Sequence, residues 1–421
     1  MIGRVALFAP RRRKSRAGVR VWVRRGLAAR VQLVSVGAVA ATVVIAAAAP
    51  HGVAAVAPEI LVVGFLLGLP HGAVDHLVPF WTATPGKLGN NPPADAATAT
   101  VTASVPLDRR DGRRSGGSPP WRTLLRRTLL PRTWSCWMPH VLLGLLLAGY
   151  LAVAVTTWWG LREVGSLLLP ILLVLSVLHF GLGDVMAGAA ADGAGPRGRH
   201  GRCSGWRRRF ATAAALVVVM CDVVSHGAFV VTGPLLFWPV QADPALTTIA
   251  PHLTPPRPST REAFFIAALC ATAVSTLIAA RRRRWLAALE APLLGALFAV
   301  APPMVAFGVY FGAWHGLRHT ARMIAVDPAN GRDLAAGRLV QPIIRFVRQA
   351  TLPSLVALTM IVIVYVIAYQ HQGLVGPVVA GLLALTVPHL IIVAWMDIRT
   401  IRGRSRRLGR RDRRDRRDRV T

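Results

Sequence analysis

The sequence predicts an all-α, polytopic bundle of membrane-crossing helices, and three observations carry that prediction. Of 421 residues, 53% are hydrophobic, yet the formal net charge is +32, with 50 Lys and Arg against 18 Asp and Glu. Both figures hold together only if apolar and charged residues are segregated, and apolar runs of about 20 residues do alternate with short Arg-rich blocks. The Arg-rich blocks also recur on alternate connections, so one choice of sides places all of them in the cytoplasm, against anionic lipid. A basic protein that reads nucleic acid would spread its Arg over amphipathic elements instead, so the expected partner is the lipid bilayer and not nucleic acid.

Taken in order, residues 1–32 form a basic tail before an apolar run too long for the core of a signal peptide, and are expected to lie in the cytoplasm. Apolar segments follow near 33–57, 59–81, 137–158, 165–187, 210–238, 262–280, 286–301, 303–325, 351–370 and 375–397. The stretch from Trp285 to Val326 is divided in two because Pro302–Pro303 disfavours continuous helix. That division also brings the 82–134 insert, the 188–209 and 327–350 loops, Arg281–Arg284 and the C-terminus to the same side as the tail. The expectation is about ten crossings, within a range of about eight to ten, with both termini cytoplasmic. The 210–238 segment is overlong and is expected to tilt, or to break near Gly233–Pro234. A membrane domain over 33–397 thus carries a Pro-, Ala-, Thr- and Arg-rich insert at about 82–134 expected to be disordered, and is followed by an Arg-rich cytoplasmic tail at 398–421 with the same expectation. Heavy use of Ala, Arg, Gly and Val suggests, by composition alone, a bacterium with a GC-rich genome, and hence its plasma membrane as the location. The four cysteines form no CxxC pair, and no dinucleotide, Walker or nucleophile-elbow motif is present.

Polar groups inside apolar helices are costly and usually serve function. GLPHGAVDH carries His71, Asp75 and His76; LHFGLGD carries His179 and Asp184; FGAWHGLRH carries His315, Arg318 and His319; TVPHL carries His389. With ten crossings, His71, His179, His315, His319 and His389 all fall at about the same depth, within a slab about 6 Å thick near the bilayer midplane. His315 and His319 share a helix face through their spacing of four, so they suit one metal ion. Asp75 has the same spacing from His71 and suits the outer carboxylate of a ligand's second nitrogen, whereas His76 points away on an ideal helix. A lone HxxxH more often packs or relays protons; four helices delivering His at one depth favour a metal. His51, His140, His252 and His371 fall near segment ends or in loops, and Glu59 and Asp397 at helix ends, where solvation accounts for them. His226 and Asp222 stay open between lining a cavity and bonding a neighbouring helix. All-imidazole ligation without thiolate suits Fe, Cu or Zn, and of these iron with open positions activates O₂ while zinc does not. Tyr310, Phe311, Trp314, Phe180 and Trp395 are candidates to line an apolar tunnel beside such a centre.

In their order along the chain, GLPHGAVDH, HFGLGD, APPMVAFGVYFGAWHGLRH and LTVPHL, with SHGAFVVTGPLLFWP between, resemble the Brp/Blh family of bacterial and archaeal β-carotene 15,15′-dioxygenases, which supply retinal to rhodopsins. The resemblance spans about 68–397. It implies an enzyme that cleaves the central double bond of β-carotene, or of a related carotenoid, with O₂ into two retinal molecules. It also implies Fe(II) as cofactor, held by His71, His179, His315 and His319, with His389 as an extra histidine at that depth. Asp75 and Asp184 are then expected to orient ligands and balance charge, with Arg318 paired to one of them. A functional link to a microbial rhodopsin follows from the same resemblance. The competing reading from the residues alone is a His-lined transporter or conductor of protons or metal ions; the scarcity of acids in the apolar segments weighs against it.

Overall fold

A computed structural model describes residues 16–83, 132–191, 205–369 and 379–399. The expectations about the 84–131 stretch of the insert, the first 15 residues, His371, Cys203 and the C-terminal run from 400 lie outside the described residues.

The described residues are mostly helical, without strands. In chain order the helices are α1 (Arg16–Ala48), α2 (Pro50–Ala55), α3 (Ala57–Gly68), α4 (Pro70–Ala73), a 3-10 turn at Asp75–Leu77 and α5 (Val78–Ala83). After the insert come α6 (Arg132–Glu163), α7 (Gly165–Ala191), α8 (Gly205–Gly227), α9 (Phe229–Phe237), α10 (Pro239–Ile249), α11 (Pro258–Arg281) and α12 (Trp285–Val300). The last third holds α13 (Pro303–Val309), a π-helical segment at Tyr310–Gly316, α14 (Leu317–Val326), α15 (Gly331–Ala335), α16 (Val340–Tyr369) and α17 (Val379–Arg399).

Proline sets many of these boundaries. Pro50, Pro70, Pro239, Pro258 and Pro303 each open a helix, where the missing N–H costs nothing and the fixed φ fits the first turn. The expected division at Pro302–Pro303 is present: α12 stops at Val300 and Ala301 is extended before α13 begins.

Among the described residues six helices are long and apolar enough to cross a membrane, and a seventh span results if α8 and α9, bent by 49° at their junction, are counted together. Their outward faces are apolar, with Leu145 65% and Leu167 73% exposed, as a surface against lipid requires. These criteria give six or seven spans among the described residues, against the expected ten or so. α12 is only 16 residues long, whereas the 303–326 stretch runs on as one helix through its π turn, with helical backbone at Val309, Tyr310, Gly316 and Leu317. The break in the 210–238 segment lies at Gly227, not at Gly233–Pro234. There the chain packs on its neighbour: a Cβ on Gly227 would meet the carbonyl oxygen of Val177, and one on Gly181 that of Val223. Pro234 is accommodated inside α9.

A second close contact joins α3 to α13 and the π segment. Gly64 and Gly68 face Gly308, Gly312 and Gly316, each set spaced by four residues. A Cβ on Gly312 would come within 2.8 Å of the Gly64 carbonyl oxygen, and one on Gly308 within 2.8 Å of that of Ile60. Small residues at this spacing let helices in lipid approach backbone to backbone, the arrangement that stabilises their association there. Above this contact Phe298, Tyr310 and Trp314 close the main apolar core with Phe229, Leu294 and Leu297.

Candidate metal centre

The close glycine contacts explain why histidines from distant segments meet. His71 follows Gly68 by three residues, and His315 precedes Gly316, so the contact of α3 with the π segment sets both at one place. Pro70 restarts the helix, and the His71 Nδ1 is bonded to the Gly68 carbonyl, which leaves Nε2 facing inward from a ring only 4% exposed. The Gly181–Gly227 contact similarly fixes α7, which carries His179. Gly183 is small because His315 lies over it; a Cβ there would stand 3.0 Å from the His315 Cε1.

Five imidazoles are gathered in this way. Ring centroids are 5.4 Å apart for His71–His315, 5.2 Å for His71–His319, 5.4 Å for His179–His315 and 5.8 Å for His315–His319. His389 on α17 stands 5.1 Å from His71, 5.0 Å from His179 and 5.6 Å from His319. All five rings are buried. The π turn at Tyr310–Gly316 departs from the regular α-helix that the spacing of four assumes. Even so, His315 and His319 stay side by side, their planes 18° apart.

Carboxylates stand behind the rings. Asp184 Oδ1 lies 3.5 Å from His315 Nδ1, while its Oδ2 accepts from Trp314 Nε1 at 2.8 Å and from the Tyr310 hydroxyl at 3.2 Å. Asp75 accepts from His389 Nδ1 at 2.6 Å, and the Tyr150 hydroxyl donates to the same oxygen at 3.4 Å. The acid of the PHGAVD motif thus serves a histidine more than three hundred residues away, not His71, whose Nδ1 is already committed to Gly68. His76 is turned to the Ala73 carbonyl at 3.0 Å.

Three expectations are corrected. Arg318 pairs with neither Asp75 nor Asp184; it donates to Glu290 Oε1 at 2.9 Å and lies over the Trp314 ring at 3.6 Å. The reason is that Glu290 projects from α12 into the bundle beside it, where it also accepts from Gln32 at 2.7 Å and stands 3.4 Å from His226 Nε2. That contact resolves His226 as a link between helices, as Asp222 is through Ser275. Tyr310 and Trp314 are fully buried and brace Asp184, so they are not tunnel walls; Trp395 stands at the periphery, with Arg399 over its ring at 5.4 Å. Asp397 is buried and paired with Arg322 and does not rely on solvent. Glu290, Gln32 and Tyr150 went unread in the sequence, although Glu290 carried a signal as the one acid within the apolar run WLAALEAPLL.

The donor set suits a metal ion. His315 Nδ1 and Nε2, His319 Nε2 and His389 Nε2 are buried without a hydrogen-bond partner, a state in which buried polar nitrogens are seldom left. Imidazoles sharing an ion at metal–nitrogen distances of about 2.1 Å have ring centroids about 5 Å apart, much as these do. The donor atoms themselves are less converged: among the described residues no group of three or more His, Cys, Asp or Glu has the spacing of a formed metal site. Two apolar clefts are lined by chain neighbours of the histidines, though by none of the five rings. One, of about 210 Å³, runs beside Pro70 between Leu66, Ala350 and Leu355. The other, of about 130 Å³, runs between α7 and α17 beside Ser176, Leu383 and Val387.

Comparison with known proteins agrees with these motifs. The model of the beta-carotene 15,15′-dioxygenase family matches residues 130–397. The chain belongs to this family. The match includes His179, Asp184, Glu290, His315, His319 and His389; His71 and Asp75 precede it. A protein of Halobacterium salinarum described as a probable beta-carotene 15,15′-dioxygenase Blh is 37% identical over 140 residues, 31% of this chain. The aligned part spans 41% of that relative's length. No solved structure matches the chain.

Proposed function

We propose that this member of the family is a membrane-embedded, iron-dependent β-carotene 15,15′-dioxygenase, which cleaves the central double bond of β-carotene or a close relative with O₂. The observation that carries the reading is the gathering of five buried imidazoles, from four separate segments of an apolar bundle, with carboxylates behind two of them.

His71, His179, His315 and His319 would hold Fe(II), and bound there the ion supplies activation of O₂. One O₂ added across one double bond gives two aldehydes, so atoms and electrons balance without a reductant. The rest is done by the chain. Asp184 Oδ1, 3.5 Å from His315 Nδ1, would draw that ring's proton to Nδ1 and so present Nε2, the usual task of a carboxylate behind a metal-bound histidine. Phe180, 4.9 Å from His315, and Phe311, 5.5 Å from His71, wall the centre with rings that exclude water. The two apolar clefts lie on the His71 side and on the His179 and His389 side. They suit the two arms of a long, rigid polyene reaching the centre from lipid, with its middle held for reaction. Transport of cations fits less well, since the buried acid Glu290 is already paired with Arg318.

Expression in bacteria that accumulate β-carotene, with chromatography of the extracted pigments, tests the reading. Loss of β-carotene with formation of retinal, both abolished by His315→Ala, is expected. Unchanged β-carotene from membrane-inserted, iron-loaded protein would sink the substrate assignment.

A further inference from the structure

We propose that His389 is a fifth imidazole ligand of the metal centre, oriented by Asp75, beyond the four histidines of the PHGxxD, HFGxxD and HxxRH motifs. The proposal rests on the reading that this cluster binds iron.

Three observations carry it. First, His389 completes the cluster. Among ring contacts of the described residues, His179 meets the other three motif histidines only through His315. His389 is 5.0 Å from His179, 5.1 Å from His71 and 5.6 Å from His319, and so joins the two sides of the group. Second, its protonation is arranged for ligation. Nδ1 donates to Asp75 Oδ2 at 2.6 Å, which leaves the lone pair on Nε2, and that nitrogen is buried with no partner. A histidine that merely packed would have both nitrogens satisfied, because an unpaired buried polar atom costs about 1–3 kcal/mol. Third, the acid of the first motif, with Tyr150 donating to it from α6, is spent on this ring. Carboxylate, histidine and ion in sequence are the arrangement that fixes the tautomer of metal ligands. A fifth nitrogen also matters for chemistry: it would leave a six-coordinate ion one free position, where four leave two.

The full chain, purified in detergent, is titrated anaerobically with Fe(II) against a competing chelator, and X-ray absorption at the iron counts the imidazole rings. Wild type is compared with His71→Gln, His389→Gln, Asp75→Asn and, as a surface control, His252→Gln. The expected result is a fall in iron affinity of about 100-fold or more for His389→Gln, as for His71→Gln, with one imidazole lost from the iron shell. Asp75→Asn, which keeps the shape of the side chain, is expected to lower affinity about 10–100-fold, and His252→Gln to leave it unchanged. Should His389→Gln not fold, the ring count in wild type and the affinity of Asp75→Asn still decide the matter. Wild-type affinity and ring count in His389→Gln, with iron lost from His71→Gln, would overturn the fifth ligand and leave the iron reading standing. Iron bound by none of the proteins, wild type included, would overturn both.

Discussion

At the scale of single residues the argument depends on which carboxylate stands behind which base. Asp184 braces His315 while Trp314 and Tyr310 hold its other oxygen. Asp184→Asn keeps the shape but can no longer favour one proton position on the ring. It is expected to lower iron affinity or retinal formation about 10–100-fold, measured by iron titration and by product chromatography on the same preparation. Glu290 has a different task. With Arg318, it forms an ion pair whose two side chains are each 3% exposed. Glu290→Gln strands that guanidinium and is expected to destabilise the protein by about 3–5 kcal/mol, read as a drop in thermal midpoint in detergent; replacing Arg318 by Met in the same chain should recover much of the loss. The sequence made the rare polar residues legible, because a charged group in an apolar run stands out. It did not make their pairing legible. Asp75 lies four residues from His71 yet serves His389, and Arg318 passes over Asp184 for an acid on another helix, since partners in a folded bundle are set by helix contacts and not by spacing along one helix.

At the scale of elements, glycines decide how near the helices come and hence whether the rings meet. Two substitutions separate packing from site. Gly308→Leu drives a side chain into the backbone of Ile60 and Leu61, which has no way to yield. Loss of the monodisperse, folded species on size-exclusion chromatography is expected. Gly183→Ala instead meets the edge of the His315 ring at 3.0 Å, and a ring can shift by a few tenths of an ångström. The protein should fold as wild type while its iron affinity falls, so equal affinity would argue that His315 does not contact the ion. Helix starts were readable because proline marks them, and so was the division at Pro302–Pro303. The bend at Gly227 and the π turn of Tyr310–Gly316 were not, since each answers to a contact with another helix. π turns of this kind often mark functional sites, and here the turn carries His315 into the cluster.

At the scale of the molecule, segregation of charge from apolar residues was enough to read an all-helical membrane bundle, but crossing number was not. α12, at 16 residues, is shorter than an ordinary crossing. What the whole bundle provides is a buried interior holding the five imidazoles, with apolar clefts at its surface. The most direct test is add-back of metal to chelated, purified protein supplied with β-carotene in micelles and with O₂, with retinal measured by chromatography. Fe(II) is expected to restore retinal formation, Zn(II) to leave it absent, and His315→Ala to show neither. Equal retinal formation by the chelated protein with no metal added, or restoration by Zn(II) as well as by Fe(II), would contradict an iron centre built from these histidines.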